Sequence, residues 1–272
     1  MTPLISIIMP AYNVEAYIGE AITSVLKQSY VHWELIVVND GSMDNTLEIA
    51  SSFFDPRIHL FNQKNGGVGK ARNYALQQIK GDYFCFLDAD DILPENALKA
   101  RLEIFDKDPN IAFVSGRVRQ VNSDLSQVLL IQTPTFRGLP QKEIIRLNPS
   151  CLVTINWLIK RKKNKNYSFP EGWTHSEDVA FFLSISEDGL YDFTEEEVLI
   201  YRRNNNSAMS NLDGLKDGYV KYYEFVLDTV VNLEDKDRIY LKNRIRRIMV
   251  LSYLHNKQFL RALKSFWELS RL

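Results

Sequence analysis

The feature that most constrains this chain is an alternation, over its first 120 residues, of short apolar runs with segments whose apolar residues recur at helical spacing. Residues 5–9, 35–38, 58–61 and 83–87 are apolar runs too short for helices and read as buried strands. Residues 18–28 carry Ile18, Ala21, Ile22, Val25 and Leu26 on one helical face, and helices are likewise predicted from Asp44 or Asn45 to about 53, over 69–78 and over 96–105. Strands that alternate with helices must cross over between parallel neighbours, so this order predicts an α/β fold with a mostly parallel sheet covered on both faces.

The polar clusters fall where those strands end. Pro10-Ala11-Tyr12-Asn13, Asn39-Asp40-Gly41-Ser42 and Asp88-Ala89-Asp90-Asp91 each follow an apolar run. Open α/β sheets bind ligands outside the carboxyl ends of their strands, so three polar loops on one edge describe a single crevice.

A length of 272 residues suits one α/β domain with an appendage, or two small domains. The formal net charge of −1 provides no global attraction to nucleic acid. The two cysteines, Cys85 and Cys151, have neither CxxC nor Cys/His ligand spacing, which argues against a disulfide framework and for a reducing cytoplasm. The first ten residues lack a basic leader and a cleavage site, and no run approaches the roughly 20 apolar residues that span a bilayer, so membrane contact is expected to be peripheral.

Asp88, Asp90 and Asp91 set three carboxylates at one strand tip. Like charges so close raise one another's pKa unless they share a cation, and a hard divalent ion with oxygen ligands resolves the conflict. Taken alone, the tripeptide fits a solvated Asp turn equally well. Asp40 ends a strand just before a helix: it can accept from a base N–H or a ribose hydroxyl, or it can cap the helix, a task open also to Ser42 and Asp44. Asn65-Gly66-Gly67-Val68-Gly69-Lys70 looks like a phosphate loop, but Lys64 stands where the Walker pattern needs glycine and Ala71 where it needs Ser or Thr. Arg72, in the following helix, can reach a phosphate or base or lie on a solvated helix face. Glu177-Asp178 opens an apolar helix, where acidic residues complement the helix dipole and where Asp178 could also serve as a general base. Trp173 offers a face for an acceptor sugar or a half-buried core ring.

Ser6-Ile7-Ile8-Met9-Pro10-Ala11-Tyr12-Asn13, Val38-Asn39-Asp40-Gly41-Ser42, Ala71-Arg72-Asn73, Leu87-Asp88-Ala89-Asp90-Asp91 and Ser176-Glu177-Asp178, in this order, make residues 4–210 resemble the family-2 glycosyltransferases of GT-A fold. The resemblance implies an inverting hexosyl- or N-acetylhexosaminyl-transferase that moves a sugar from a nucleoside diphosphate, usually UDP, to a hydroxyl of a glycan or lipid-linked acceptor. It implies nucleotide contacts from Pro10, Ala11, Tyr12, Asn13, Asp40, Arg72 and Ala89, a ribose contact from Asp88, and Mn²⁺ or Mg²⁺ on Asp90 with Asp88 as a further candidate. Asp178 becomes the base and Glu177 its orienting neighbour. The family often carries Tyr-Arg-x-His followed three residues later by serine; here Tyr201-Arg202-Arg203-Asn204-Asn205-Asn206-Ser207 sets Asn204 in the histidine slot, with an amide oxygen but no titratable nitrogen. Arg202 or Arg203 could neutralise the diphosphate directly.

After Asn204-Asn205-Asn206 the pattern turns helical, which divides the chain into 1–212 (a nucleotide-sugar half to 115 and an acceptor half from 116) and a helical extension, 213–272, with helices predicted over 216–233, 238–254 and 259–269. From Lys236 onward ten basic residues face two acidic ones, a balance of +8 in a chain whose total is −1. Such a basic amphipathic tail suits an anionic membrane surface, at the inner face of the membrane, or packing on the core or a partner subunit. Two other readings remain: a nucleotidyltransferase, which the lack of a glycine-rich basic loop after the first strand disfavours, and a non-catalytic nucleotide-sugar-binding protein.

Overall fold

The computed structural model of the chain describes residues 2–151, 154–204 and 211–270. In chain order the elements are β1 (Ile5–Ala11), α1 (Ile18–Leu26), β2 (Trp33–Asn39), α2 (Thr46–Ser51), β3 (Ile58–Asn62), α3 (Val68–Leu76), β4 (Tyr83–Phe86), α4 (Ala97–Phe105), β5 (Ile111–Asn122), β6 (Val128–Gln132), α5 (Gln141–Ile145), β7 (Leu158–Lys160), α6 (Glu177–Ile185), β8 (Leu190–Arg203), α7 (Leu212–Thr229), α8 (Asp235–His255) and α9 (Phe259–Leu269).

These strands form one eight-stranded sheet in the order β3-β2-β1-β4-β7-β5-β6, with β8 on the other edge of β5. Pairings among β1 to β4 are parallel, as is β5 with β8, whereas β7 and β6 run antiparallel to their neighbours. The sheet is therefore mostly parallel and covered by helices, as the alternation predicts.

Strand periodicity of two sorts the core into two layers. Ile5, Ile7, Met9, Leu35, Val37, Cys85 and Leu87 pack with Ile18, Ile22 and Val25 of α1 and Leu98 and Phe105 of α4. Ile8, Ile36, Val38, Phe84 and Phe86 face the opposite way, onto Ala71 and Ala75 of α3 and Phe181 of α6. Because β1 lies between β2 and β4, the strand order turns back there, and the tips of all three strands meet at the point where such sheets bind ligands.

The second half is built on the long β5–β8 pair. Its register shifts around Gly116, where an added Cβ would come within 2.6 Å of Val198 Cγ1 and 2.9 Å of the Glu196 carbonyl oxygen. The resulting bulge breaks the alternation of residues 190–203, so the sequence shows only strand-like fragments there. The tail helix begins at Leu212, ahead of the predicted 216, because the Asn211 side chain accepts from the Gly214 N–H and caps it. Leu215, Tyr222 and Val226 of α7, Leu241, Ile245 and Met249 of α8 and Leu269 of α9 share one apolar cluster with α6 and the sheet. Cys85 and Cys151 are free and buried. Among the described residues no helix is long and apolar enough to cross a membrane.

Candidate active site

The β1 and β2 tips are stitched together. Asn13, in the left-handed region at φ 49°, donates its N–H to Ser42 Oγ at 3.0 Å and accepts from the Met43 N–H at 2.8 Å. Thr46 and Asp44 accept from the Val14 and Glu15 N–H groups, and Asp44 also accepts from the Thr46 N–H, so the capping task falls to Asp44. Pro10 and Ala11 are buried, while Tyr12 keeps 46% of its surface exposed at the tip.

Asp40 does something the sequence did not suggest. Its buried carboxylate accepts from Gln63 Nε2 at 2.7 Å and from the Gly66 and Gly67 N–H groups at 2.9 and 2.8 Å. The glycine loop is thus an anchor line for Asp40. Gly67 takes φ 88° and Gly41 φ 71°, and a Cβ on Gly41 would lie 2.7 Å from the Asn65 nitrogen, so the two loops touch through glycine. Three of the four lone-pair directions of the carboxylate are filled, leaving one for a ligand donor.

At the β4 tip, Arg72 of α3 is buried and forked. Nη2 donates to Asp88 Oδ1 at 2.9 Å and Nη1 to Glu177 Oε1 at 3.1 Å, which excludes the solvated-face reading. Burial opposes its charge, yet Asp88, Glu177 and Asp178 together hold its pKa above the ordinary value. Gly69 lets α3 come this close: a Cβ there would sit 3.2 Å from the Pro170 carbonyl oxygen and 3.9 Å from Glu177 Cγ.

Glu177 and Asp178 open α6 behind Ser176, a non-glycine residue at φ 64°. Strain of this kind survives only where the surroundings enforce it. Part of that enforcement comes from α7, where a Cβ on Gly218 would fall 2.6 Å from His175 Cβ and 2.7 Å from its carbonyl oxygen. Glu177 is buried against Arg72, so its place in the first turn serves an ion pair before it serves the helix dipole. Burial, then the Asp178 charge, push its carboxyl up to about 7 against the pull of Arg72. Burial also raises Asp178, whose Oδ1 accepts from the Val179 N–H at 2.8 Å.

Asp90 is pushed up to about 6, by burial first and then by Asp88. Asn204 Nδ2 donates to its Oδ2 at 2.9 Å, and the Asn204 Oδ1 is buried with no hydrogen-bond partner among the described residues. The histidine-slot residue therefore does reach Asp90. Asn205, Asn206 and Ser207 of that motif lie outside the described residues. Asp91 turns away and accepts from the Arg202 N–H at 2.8 Å. Arg202 is occupied: Nε donates to the Asp90 carbonyl, Nη1 to the Ser123 carbonyl and Nη2 to Glu20, and its guanidinium lies over Tyr17. Arg202 is buried and holds loops together through all three of its guanidinium nitrogens, whereas Arg203 is exposed. Ala89 is buried between the two acids, and Trp173 is half-buried with its ring edge-on to Phe225 of α7 at 6.0 Å. Among the described residues no three His, Cys, Asp or Glu side chains gather in a way that could hold a metal ion by themselves.

The roles of Arg202, Asn204 Nδ2 and the Gly66–Gly67 loop were missed by sequence reasoning. Their partners lie 26 to 182 residues away, and only the glycines gave a signal that backbone would approach something closely.

The sequence and the fold have known counterparts. The chain is 37% identical over 188 residues, covering 68% of it and 70% of the relative, to the UDP-Glc:alpha-D-GlcNAc-diphosphoundecaprenol beta-1,3-glucosyltransferase WfgD of Escherichia coli. It superposes on the crystal structure of S. aureus TarS 1-349 in complex with UDP-GlcNAc with a TM-score of 0.70 at 20% identity, covering 97% of this chain and 81% of that one. The mannosyltransferase PcManGT of Pyrobaculum calidifontis, in complex with GDP-Man and Mn2+, matches with a TM-score of 0.65 at 17% identity over 97% and 74%. The GT-A fold expected from the sequence is the fold found. The model of Glycosyl transferase family 2 matches residues 6–168, more than half of the chain, which sets aside the nucleotidyltransferase and non-catalytic readings. The chain belongs to glycosyltransferase family 2 and is an enzyme that transfers sugars.

Proposed function

We propose that this chain is an inverting glycosyltransferase that takes a UDP-sugar as donor and a hydroxyl of a glycan or lipid-linked glycan as acceptor. The observation that carries the reading is the Arg72 fork, which ties Asp88 at the β4 tip to Glu177 at the start of α6 and so joins the donor crevice to an acidic pair. The WfgD name, with its UDP-Glc donor and diphosphoundecaprenol-linked acceptor, supports the same classes of substrate.

Tyr12 would lie against the nucleobase, with Pro10, Ala11 and Asn13 shaping the floor, the remaining Asp40 lone pair accepting from the base, and Asp88 facing the ribose. The residues at the diphosphate position fit a divalent ion. Burial and the neighbouring Asp88 charge make Asp90 hold its proton tightly, a conflict that a cation would relieve, and the orphaned Asn204 Oδ1 is a spare oxygen that turning the amide over would present beside it. Asp90, Asp88 and Asn204 would hold Mn²⁺ or Mg²⁺, with donor phosphates completing the shell. When bound, the ion neutralises charge on the departing diphosphate.

Asp178 removes the proton from the acceptor hydroxyl as its oxygen attacks the anomeric carbon on the face opposite the diphosphate. The new C–O bond forms, the bond to the diphosphate breaks, and the configuration inverts. Glu177, fixed by Arg72, holds the start of α6 so that Asp178 faces the acceptor. Trp173, four residues before Glu177, would serve as an acceptor contact. In this reading 1–212 is the catalytic body, divided near 115, and 213–272 a helical extension, with the enzyme at work in the cytoplasm beside its lipid-linked acceptor.

A panel of nucleotide sugars with Mn²⁺, assayed for free UDP, GDP or dTDP, tests the reading. Release of UDP from one or more UDP-sugars supports it, and release confined to GDP or dTDP donors overturns the donor assignment.

A further inference from the structure

Helix α9 is apolar on two sides. Ala262, Ser265 and Leu269 form the stripe that packs inward. Phe259, Leu260, Leu263, Phe266 and Trp267, at the i, i+1, i+4, i+7 and i+8 spacing of a second helical face, point outward, with Leu260 85% and Trp267 61% exposed. An outward stripe with two Leu, two Phe and a Trp in a single three-turn helix is unfavourable in water and marks a contact surface.

The charges around it select the occupant. Lys257, Arg261 and Lys264 flank the stripe and are exposed, and Arg238, Lys242, Arg244, Arg246 and Arg247 continue the positive field along α8. Arg271 lies outside the described residues. The acidic side chains near α9, Asp213 and Glu268, are already paired with Arg261 and with Lys216 and Lys264. A second copy docking by the same face would bring this excess of positive charge against itself. An anionic bilayer surface complements it, and an aromatic and leucine stripe rimmed by basic residues is how interfacial helices seat at the headgroup boundary.

We propose that the outward face of α9 docks the enzyme on an anionic lipid surface. The position in the fold gives the docking a purpose. Arg261 and Tyr253 both bond Asp213 at the start of α7, and the first two turns of α7 pack Gly214 and Gly218 onto His175, two residues before Glu177. Helix α9 is therefore linked, through the start of α7, to the loop that enters α6. The surface itself does not depend on the transfer chemistry, and its test reads no activity.

The 272-residue chain is sedimented with phosphatidylcholine vesicles and with vesicles also containing phosphatidylglycerol. Binding at least about tenfold stronger to the anionic vesicles, weakened by added salt, is expected. Trp33 and Trp157 are buried and Trp173 half-buried, so a blue shift of emission and quenching by brominated lipid report Trp267. Leu260→Glu with Leu263→Glu, and separately Lys257→Glu with Lys264→Glu, should each reduce anionic binding about tenfold or more while melting temperature stays at the wild-type value. Wild type that fails to sediment with anionic vesicles, or variants that bind as wild type does, would overturn the proposal. So would a lipid-free dimer that the leucine pair of substitutions dissociates, which would make this face an interface between copies.

Discussion

Arg72 and Glu177, 105 residues apart in the chain, meet in a buried ion pair at 3.1 Å, and the other arm of the same guanidinium reaches Asp88. One side chain thus fixes the distance between the β4 strand tip and the helix start that carries Asp178. Removing one partner from a buried charge network costs about 3–5 kcal/mol, because the remaining charges lose their compensation. Arg72→Ala should lower stability by that order in thermal or urea denaturation. Arg72→Lys should recover part of the stability and little of the turnover, since an ammonium cannot fork to two carboxylates.

The acidic pair sets a pH dependence whose sign can be worked out. The Glu177 carboxyl moves from an ordinary value of 4.5 up to about 7, and Asp90 from 3.8 to about 6. Both bind a proton more tightly folded than unfolded. Stability from these groups is therefore complete below the unfolded values and is lost as pH rises through about 6 to 7. The metal-free protein should be less stable near pH 8 than near pH 5 by on the order of 1–3 kcal/mol, and melt at a correspondingly lower temperature. Turnover should run the other way, rising as the Glu177–Asp178 pair ionises, because the proposed base works only as a carboxylate. A melting temperature that climbs from pH 5 to pH 8 contradicts the burial of these acids.

Gly218 offers a test of the packing behind the pair. Replacing a mid-helix glycine by alanine ordinarily stabilises by about 0.5–1 kcal/mol. Here the new methyl would meet His175 Cβ at 2.6 Å and its carbonyl oxygen at 2.7 Å. Gly218→Ala should instead destabilise by about 1–3 kcal/mol and lower turnover by displacing the loop that enters α6. Denaturation midpoints with a donor-turnover assay read both effects, and a stabilised, fully active variant would falsify this account of the contact.

Divalent ion should stabilise the protein through Asp90. At about 100 times its dissociation constant a ligand specific for the folded state adds about 2.7 kcal/mol. Mn²⁺ should therefore raise the melting temperature of wild type and leave Asp90→Asn unmoved. Asn204→His, which supplies an imidazole nitrogen beside Asp90, should tighten the response. An Asp90→Asn protein that responds to Mn²⁺ as wild type does rules out this residue as the ligand.

The first half of the fold was legible because buried parallel strands and their helices leave local signatures: the apolar runs at β1 to β4 and the 3.6-residue spacing of α1 need no partner to be read. The clustering of Tyr12, Asp40 and Asp88 followed from strand order alone. The Asp40 bonds to Gly66 and Gly67, the Arg72 fork and the engagement of Arg202 were not legible, because local periodicity reports which face is buried and not which distant group meets it. The long β8 was hidden for a different reason, since the bulge opposite Gly116 breaks its alternation at Glu195 to Glu197. Trp173 could not be resolved between sugar contact and core from its neighbours in sequence, and its ring meets Phe225, 52 residues on.

The most direct measurement of the central claim compares wild type and Asp178→Asn for donor binding and for sugar transfer with the donor identified from the panel. The account predicts a donor dissociation constant close to wild type together with transfer slower by about 10²–10⁴-fold, because the variant keeps the crevice and loses the base. Transfer by Asp178→Asn at the wild-type rate would contradict it.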